Sequence, residues 1–160
     1  MLKYLAATAL LSTSQVAADE TTPLQFILND YQAQCVALQA DLIDMRSSDK
    51  DNKQTHVMFG DDSIYEIDIT PDGQKATVLF ADAWCPNAGG AWCGTGGCPV
   101  YVIVDDLIFE ARGGPVTSMP INNHTTAVVV PVGGGSCINS RGITLSNAAP
   151  CFALAIWNDH

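Results

Sequence analysis

The chain predicts an α+β domain, with an N-terminal helix packed on a mostly antiparallel β-sheet of five to seven strands and disulfides holding the two together. Three observations carry this. Residues 23–46 repeat apolar side chains at helical spacing, residues from 57 onward read as short strands separated by turn chemistry, and six cysteines follow a secretion-type leader.

The leader is MLKYLAATALLSTSQVAA, residues 1–18. Lys3 gives it a positive start, Leu5 to Leu11 form its apolar centre, and Val16 and Ala18 occupy the −3 and −1 positions of a small-residue cleavage site. The apolar run is shorter than the roughly 20 residues a membrane span requires. We therefore expect a signal peptide over 1–18 and a single secreted domain over 19–160, which is 160 less 18, or 142 residues. Asp, Pro or Gly interrupts every later apolar run, so no membrane span is expected, and the compartment is periplasmic or secreted.

In the mature part, PLQFILNDYQAQCVALQADLIDMR places apolar residues at 24, 27, 28, 31, 35, 38, 42 and 45, one face of a helix. Pro23 suits its first turn, and Thr21 or Thr22 its cap. SSDKDNKQTH is a polar loop. SIYEIDIT alternates apolar and acidic residues, PDG at 71–73 is turn chemistry, and KATVLFADAW resumes at once, so residues 63–83 read as a hairpin. PVYVIVDD and LIFEAR form further strands, with a turn at Asp105-Asp106. TTAVVVPVG and CFALAIWN add two more, Pro131 confining its strand to a sheet edge or its own end. GGGSCINSRGITLSNAAP between them is a long loop.

Seventeen acidic residues against seven basic ones give a formal charge of −10, and loss of Lys3 with the leader makes it −11. Such a surface repels nucleic acid, whose phosphates call for clustered Lys and Arg. Solubility is the simpler use of this charge, and attraction to a cationic partner or to Ca²⁺ is the alternative.

The six cysteines, at 35, 85, 93, 98, 137 and 151, are an even number in an oxidising compartment, which implies three disulfides. Fifteen pairings are open. Cys93–Cys98 is the local candidate, Cys137–Cys151 closes a polar loop, and Cys35–Cys85 is the remaining pair, tying the helix to the sheet. Zinc sites bring two close cysteine pairs or paired histidines together, whereas here only Cys93 and Cys98 are close and His56, His124 and His160 are dispersed. No C-x-x-C redox spacing occurs. Neither a metal nor another cofactor is expected.

CGTGGC at 93–98 leads into Pro99 and a strand rather than into Gly-Lys-Ser/Thr and a helix, so it is a stapled turn and not a phosphate cradle. DITPDG at 68–73 matches the opening of a calcium loop, but the position of the bidentate Glu holds Leu79. Ser136 in GGGSCIN is not in a nucleophile elbow. His56 and His124 are the candidate bases, and both read more simply as solvated loop residues. Adjacent acids such as Asp61/Asp62 and Asp105/Asp106 point to opposite sides of a strand and do not converge. Trp84 and Trp157 fall in strands beside cysteines, where an indole packs on a disulfide. Trp92, in the PNAGGAWCGTGG loop, is the candidate aromatic anchor for a ligand or partner. Asn123-His124-Thr125 matches a glycosylation sequon, which has meaning only in a eukaryotic host.

Taken together, Cys35, Asp72-Gly73, Cys85, CGTGGC at 93–98, GSC at 135–137, and Cys151 with Trp157 resemble a group of small secreted or periplasmic bacterial cysteine-containing proteins of unknown function that share C-G-[ST]-G-G-C entering a strand. The resemblance covers most of residues 30–158. It implies the compartment and the fold and carries no activity. Relatives often have a fuller acidic turn than DITPDG, so the departure here argues against ion binding.

The expectation from the sequence is thus a non-catalytic binding or interaction domain, contacting an unidentified protein or envelope ligand through Trp92 and its loop, with His124 second. The alternative is a cell-envelope hydrolase or hydrolase inhibitor using His56 and His124. Oligomeric state is left open.

Overall fold

The computed structural model describes residues 21–45, 56–86, 88–133 and 151–158. Residues 1–20 with the leader, residues 46–55 with most of the expected SSDKDNKQTH loop, Asn87, residues 134–150 with Ser136 and Cys137, and residues 159–160 lie outside the described residues.

Helix α1 (Pro23–Met45) begins where the sequence places its cap. The Oγ1 of Thr22 accepts the backbone N–H of Gln25 at 3.2 Å, which satisfies one of the free donors of the first turn, and Pro23 needs no partner there. Ile27, Tyr31, Cys35 and Gln39, spaced by four, form its buried stripe. Gln39 is the one polar member, and its Nε2 donates to the carbonyl of Pro86 at 2.9 Å. Beside it the Cys35–Cys85 disulfide bolts the helix to the chain that leaves the sheet.

Nine strands follow: β1 (Met58–Phe59), β2 (Ile64–Asp68), β3 (Lys75–Phe80), β4 (Ala83–Trp84), β5 (Cys98–Val104), β6 (Leu107–Gly113), β7 (Thr117–Asn122), β8 (Thr125–Val132) and β9 (Cys151–Asn158). They pair antiparallel in three sheets, β2-β3-β5-β6, β7-β8-β9 and the short ladder β1-β4. The fold class is the expected one, with more strands than the expected five to seven. Two causes account for the excess. KATVLFADAW is not continuous: Asp82 donates its N–H back to Phe80, the chain bends, and Ala83–Trp84 pairs with β1 instead of β5. TSMPIN, largely polar and carrying Pro120, forms β7 with a bulge between Pro120 and Asn122.

The β2–β3 hairpin turns at Pro71-Asp72-Gly73, where Gly73 has φ 96° and the Oγ1 of Thr70 accepts the N–H of Gln74 at 2.9 Å. The second hairpin turns at Asp105, at φ 51°, an angle Asp tolerates better than branched residues.

The layers are helix, four-stranded sheet, three-stranded sheet. Ile27 and Tyr31 of the helix meet Leu79 and Ile103 on one face of the first sheet, together with Ala81 and Ala83 where the chain leaves β3 for β4. Ile67, Val78, Val100, Val102 and Val104 on its other face meet Val128 and Val130 of the second. The central strand β5 is therefore buried on both sides, which explains why VYVIV has no polar alternation. Each fully buried Val or Ile contributes about 1.5–3 kcal/mol.

Candidate functional site

The stapled loop is a corner where three segments meet. Cys93 and Cys98 are joined, and Gly94 and Gly97 exchange backbone hydrogen bonds at 3.2 and 2.9 Å within the turn. Gly97 stands at φ 94°, and a Cβ there would lie 2.5 Å from the carbonyl oxygen of Gly113 on β6. A Cβ on Gly133, just after β8, would lie 2.5 Å from the carbonyl oxygen of Thr95. The glycines thus let the turn pack backbone to backbone between the two sheets. Asp82 lies beside Cys93 and Cys98, the three ligand-type atoms being within 4.8 Å of one another. The sulfurs are bonded to each other and offer no thiolate, so the group is poorly suited to hold a cation.

Trp92 leaves this loop toward the helix. Its Nε1 donates to the Oε1 of Gln34 at 2.6 Å, its carbonyl accepts from the guanidinium of Arg112, and its ring lies 5.1 Å from that of Tyr31. Tyr31 also meets Phe59 and Tyr101 at 5.6 and 6.3 Å, both edge to face. Burial, and the Tyr101 hydroxyl 3.4 Å away, push the Tyr31 phenol well above its usual range. The indole is half-buried, and its polar handle is already used within the chain.

His124 sits exposed in the β7–β8 turn, where its backbone N–H donates to the Oδ1 of Asn122 at 2.8 Å. The structure does not bring it together with Trp92. One lies on the helix side of the first sheet, the other at a hairpin tip of the second. His56 is exposed ahead of β1, and no ion pair among the described residues involves either histidine. The residues of the calcium-like segment are engaged in the hairpin: Asp68 pairs with Lys75 at 2.8 Å, and Thr70 caps the turn. Trp84, expected to pack on a disulfide, is 51% exposed beside Gly89. Cys151 is disulfide-bonded; Cys137, its expected partner, is outside the described residues.

An exposed apolar face on the second sheet has no counterpart among the sequence expectations. In β9, Ala153, Ala155 and Trp157 face the core, while Phe152, Leu154 and Ile156 point away from it and are 53–59% exposed. The register sets this, because Ala155 pairs with the inward Val128, and Leu154 with Val129 on the other face. Met119 of β7, 55% exposed, is on the same side, opposite Ala127. Ile121, beside the bulge, is exposed as well. None of β7, β8 and β9 contains Asp, Glu, Lys or Arg. The apolar surface turns the edge of β9 at Ile156 into a cleft of about 190 Å³ between the sheets, lined also by Leu107, Phe109 and Trp157. Alternation in CFALAIWN was legible in the sequence. Both of its faces are apolar, however, and only the pairing with β8 decides which one is buried.

No protein-family model, curated protein or solved structure matches the chain.

Proposed function

We propose that the protein is a secreted or periplasmic, disulfide-stabilised interaction domain without catalytic activity, and that it makes contact through the outer face of the β7-β8-β9 sheet. The observation that carries this is the outward direction of Phe152, Leu154 and Ile156 while alanines fill the core side of the same strand. A contiguous apolar patch of more than a few hundred Å² on a soluble chain marks a contact surface. Export is supported by the leader-like residues 1–18 and by the disulfides, which persist outside the reducing cytoplasm. Among the described residues no helix is long and apolar enough to cross a membrane. Trp92 takes a lesser part in this proposal, since its indole N–H and one ring face are occupied by Gln34 and Tyr31.

Oxidative footprinting tests the proposal. Met119, Phe152 and Leu154 should be modified more slowly in the exported protein within producing cells than in purified protein at nanomolar dilution. Equal rates in both settings would remove the basis for an interaction role.

A further inference from the structure

We infer that the occupant of this face is a second copy of the chain, the two β7-β8-β9 sheets packing face to face about a two-fold axis; the inference rests on the interaction role just proposed for that face. Charge is the first argument. The chain carries a formal −10, and its acidic residues fall at the leader junction, in the helix, in the turns and on the first sheet, with Asp159 alone following β9 in sequence. Two copies approaching by any of those surfaces repel each other, whereas the three strands of the second sheet contribute no charged side chain at all.

Shape is the second. By register Thr125, Ala127, Val129 and Pro131 share the outer face of β8, Ala127 only 2% exposed and the others half-buried, flanked by the larger Phe152, Leu154 and Ile156 on one side and Met119 on the other. This is a furrow beside a ridge. Under a two-fold operation the ridge of one copy meets the furrow of the other, the self-complementarity that an isologous interface demands. Facing sheets interdigitate in this way at about 10 Å.

Area is the third. Met119, Phe152, Leu154 and Ile156 are each exposed by 53–59%, on the order of 100 Å² apiece. The pair of copies would bury about 800 Å² from these side chains, and the half-buried Val129 and Pro131 between them bring the total toward the roughly 1,000 Å² of a specific interface.

Sedimentation equilibrium of the oxidised, exported protein from nanomolar to about 100 µM provides the test. The expected result is a concentration-dependent dimer, weakened by at least about 100-fold in Leu154→Lys, since each interface would then bury two unpaired ammonium groups. Val36→Lys, on the exposed side of the helix, should leave the dimer unchanged. In wild type, raising the concentration should also slow oxidation of Met119 and Phe152, a readout that survives if the lysine variant fails to fold. A monomer at every concentration, or a dimer indifferent to Leu154→Lys in a folded variant, overturns the inference. If the purified chain is monomeric yet the face is protected in producing cells, the partner is another molecule and only this inference falls. If the face is unprotected in both settings, the interaction role falls with it.

Discussion

Gly114 donates its backbone N–H to the carbonyl oxygen of Pro131 at 2.6 Å, joining the end of β6 to β8 across the two sheets. Next to this bond, a Cβ on Gly113 would overlap the same carbonyl, and one on Gly97 would meet the carbonyl of Gly113. The sandwich closes at this corner only because three backbones approach without side chains between them. Gly113→Ala should therefore lower stability by about 3 kcal/mol, with Gly97→Ala similar because it also strains a positive φ. Gly73→Ala, with open space around it, should cost only the backbone strain, about 1 kcal/mol. Urea denaturation of the three variants gives the ranking directly.

The two described disulfides should differ in worth. Cys35–Cys85 spans a sequence separation of 50, and Cys93–Cys98 one of 5. In the chain-entropy account their removal costs about 4 and about 2 kcal/mol respectively. Paired serine substitutions, followed by thermal melting, should reproduce that order. An equal loss would mean that the short staple acts chiefly by fixing the glycine corner.

Tyr65 of β2 ties the first sheet to the connection that leads from β6 into β7. Its hydroxyl accepts the N–H of Val116 at 2.7 Å and donates to the Val116 carbonyl at 3.3 Å. Tyr65→Phe leaves a buried N–H without its acceptor and should cost about 1–3 kcal/mol in chemical denaturation.

Alkaline pH should loosen the fold through its phenols. Burial raises Tyr31, helped by the Tyr101 hydroxyl, and burial also raises Tyr65 against the opposing Val116 hydrogen bond. Folding thus favours the protonated phenol. The associated stability is complete below the unfolded value of about 10 and is lost as pH climbs beyond it toward the folded values. Melting temperature should be flat from pH 8 to about 9.5 and fall above 10, and the fall should be shallower in Tyr31→Phe.

Much of the architecture was legible because local chemistry and tertiary packing agree. The apolar spacing from Leu24 to Leu38, the Thr22 cap and the Pro71-Asp72-Gly73 turn each name their element without reference to the rest of the chain. β7 was illegible because Thr117, Ser118, Pro120 and Asn122 hold their ladder only through pairing with β8. The bend at Asp82 was hidden for the same reason, since Ala83 and Trp84 are strand residues whose partners, Phe59 and Met58, lie about 25 positions upstream. Trp92 read as a free anchor because nothing near it in sequence announces that Tyr31 and Gln34 stand waiting on the helix. The outer face of β9 is the clearest case. Period-two alternation is present, but which half is buried is a property of register.

The most direct measurement is site-specific photocrosslinking in producing cells, with a photoreactive phenylalanine analogue at position 154 and, as control, at position 72 in the exposed β2–β3 turn. A discrete crosslinked species from position 154 and none from position 72 is the predicted outcome. If position 154 crosslinks no more than position 72, the charge-free sheet face is bare in its own setting, and the account of the protein as an interaction domain is contradicted.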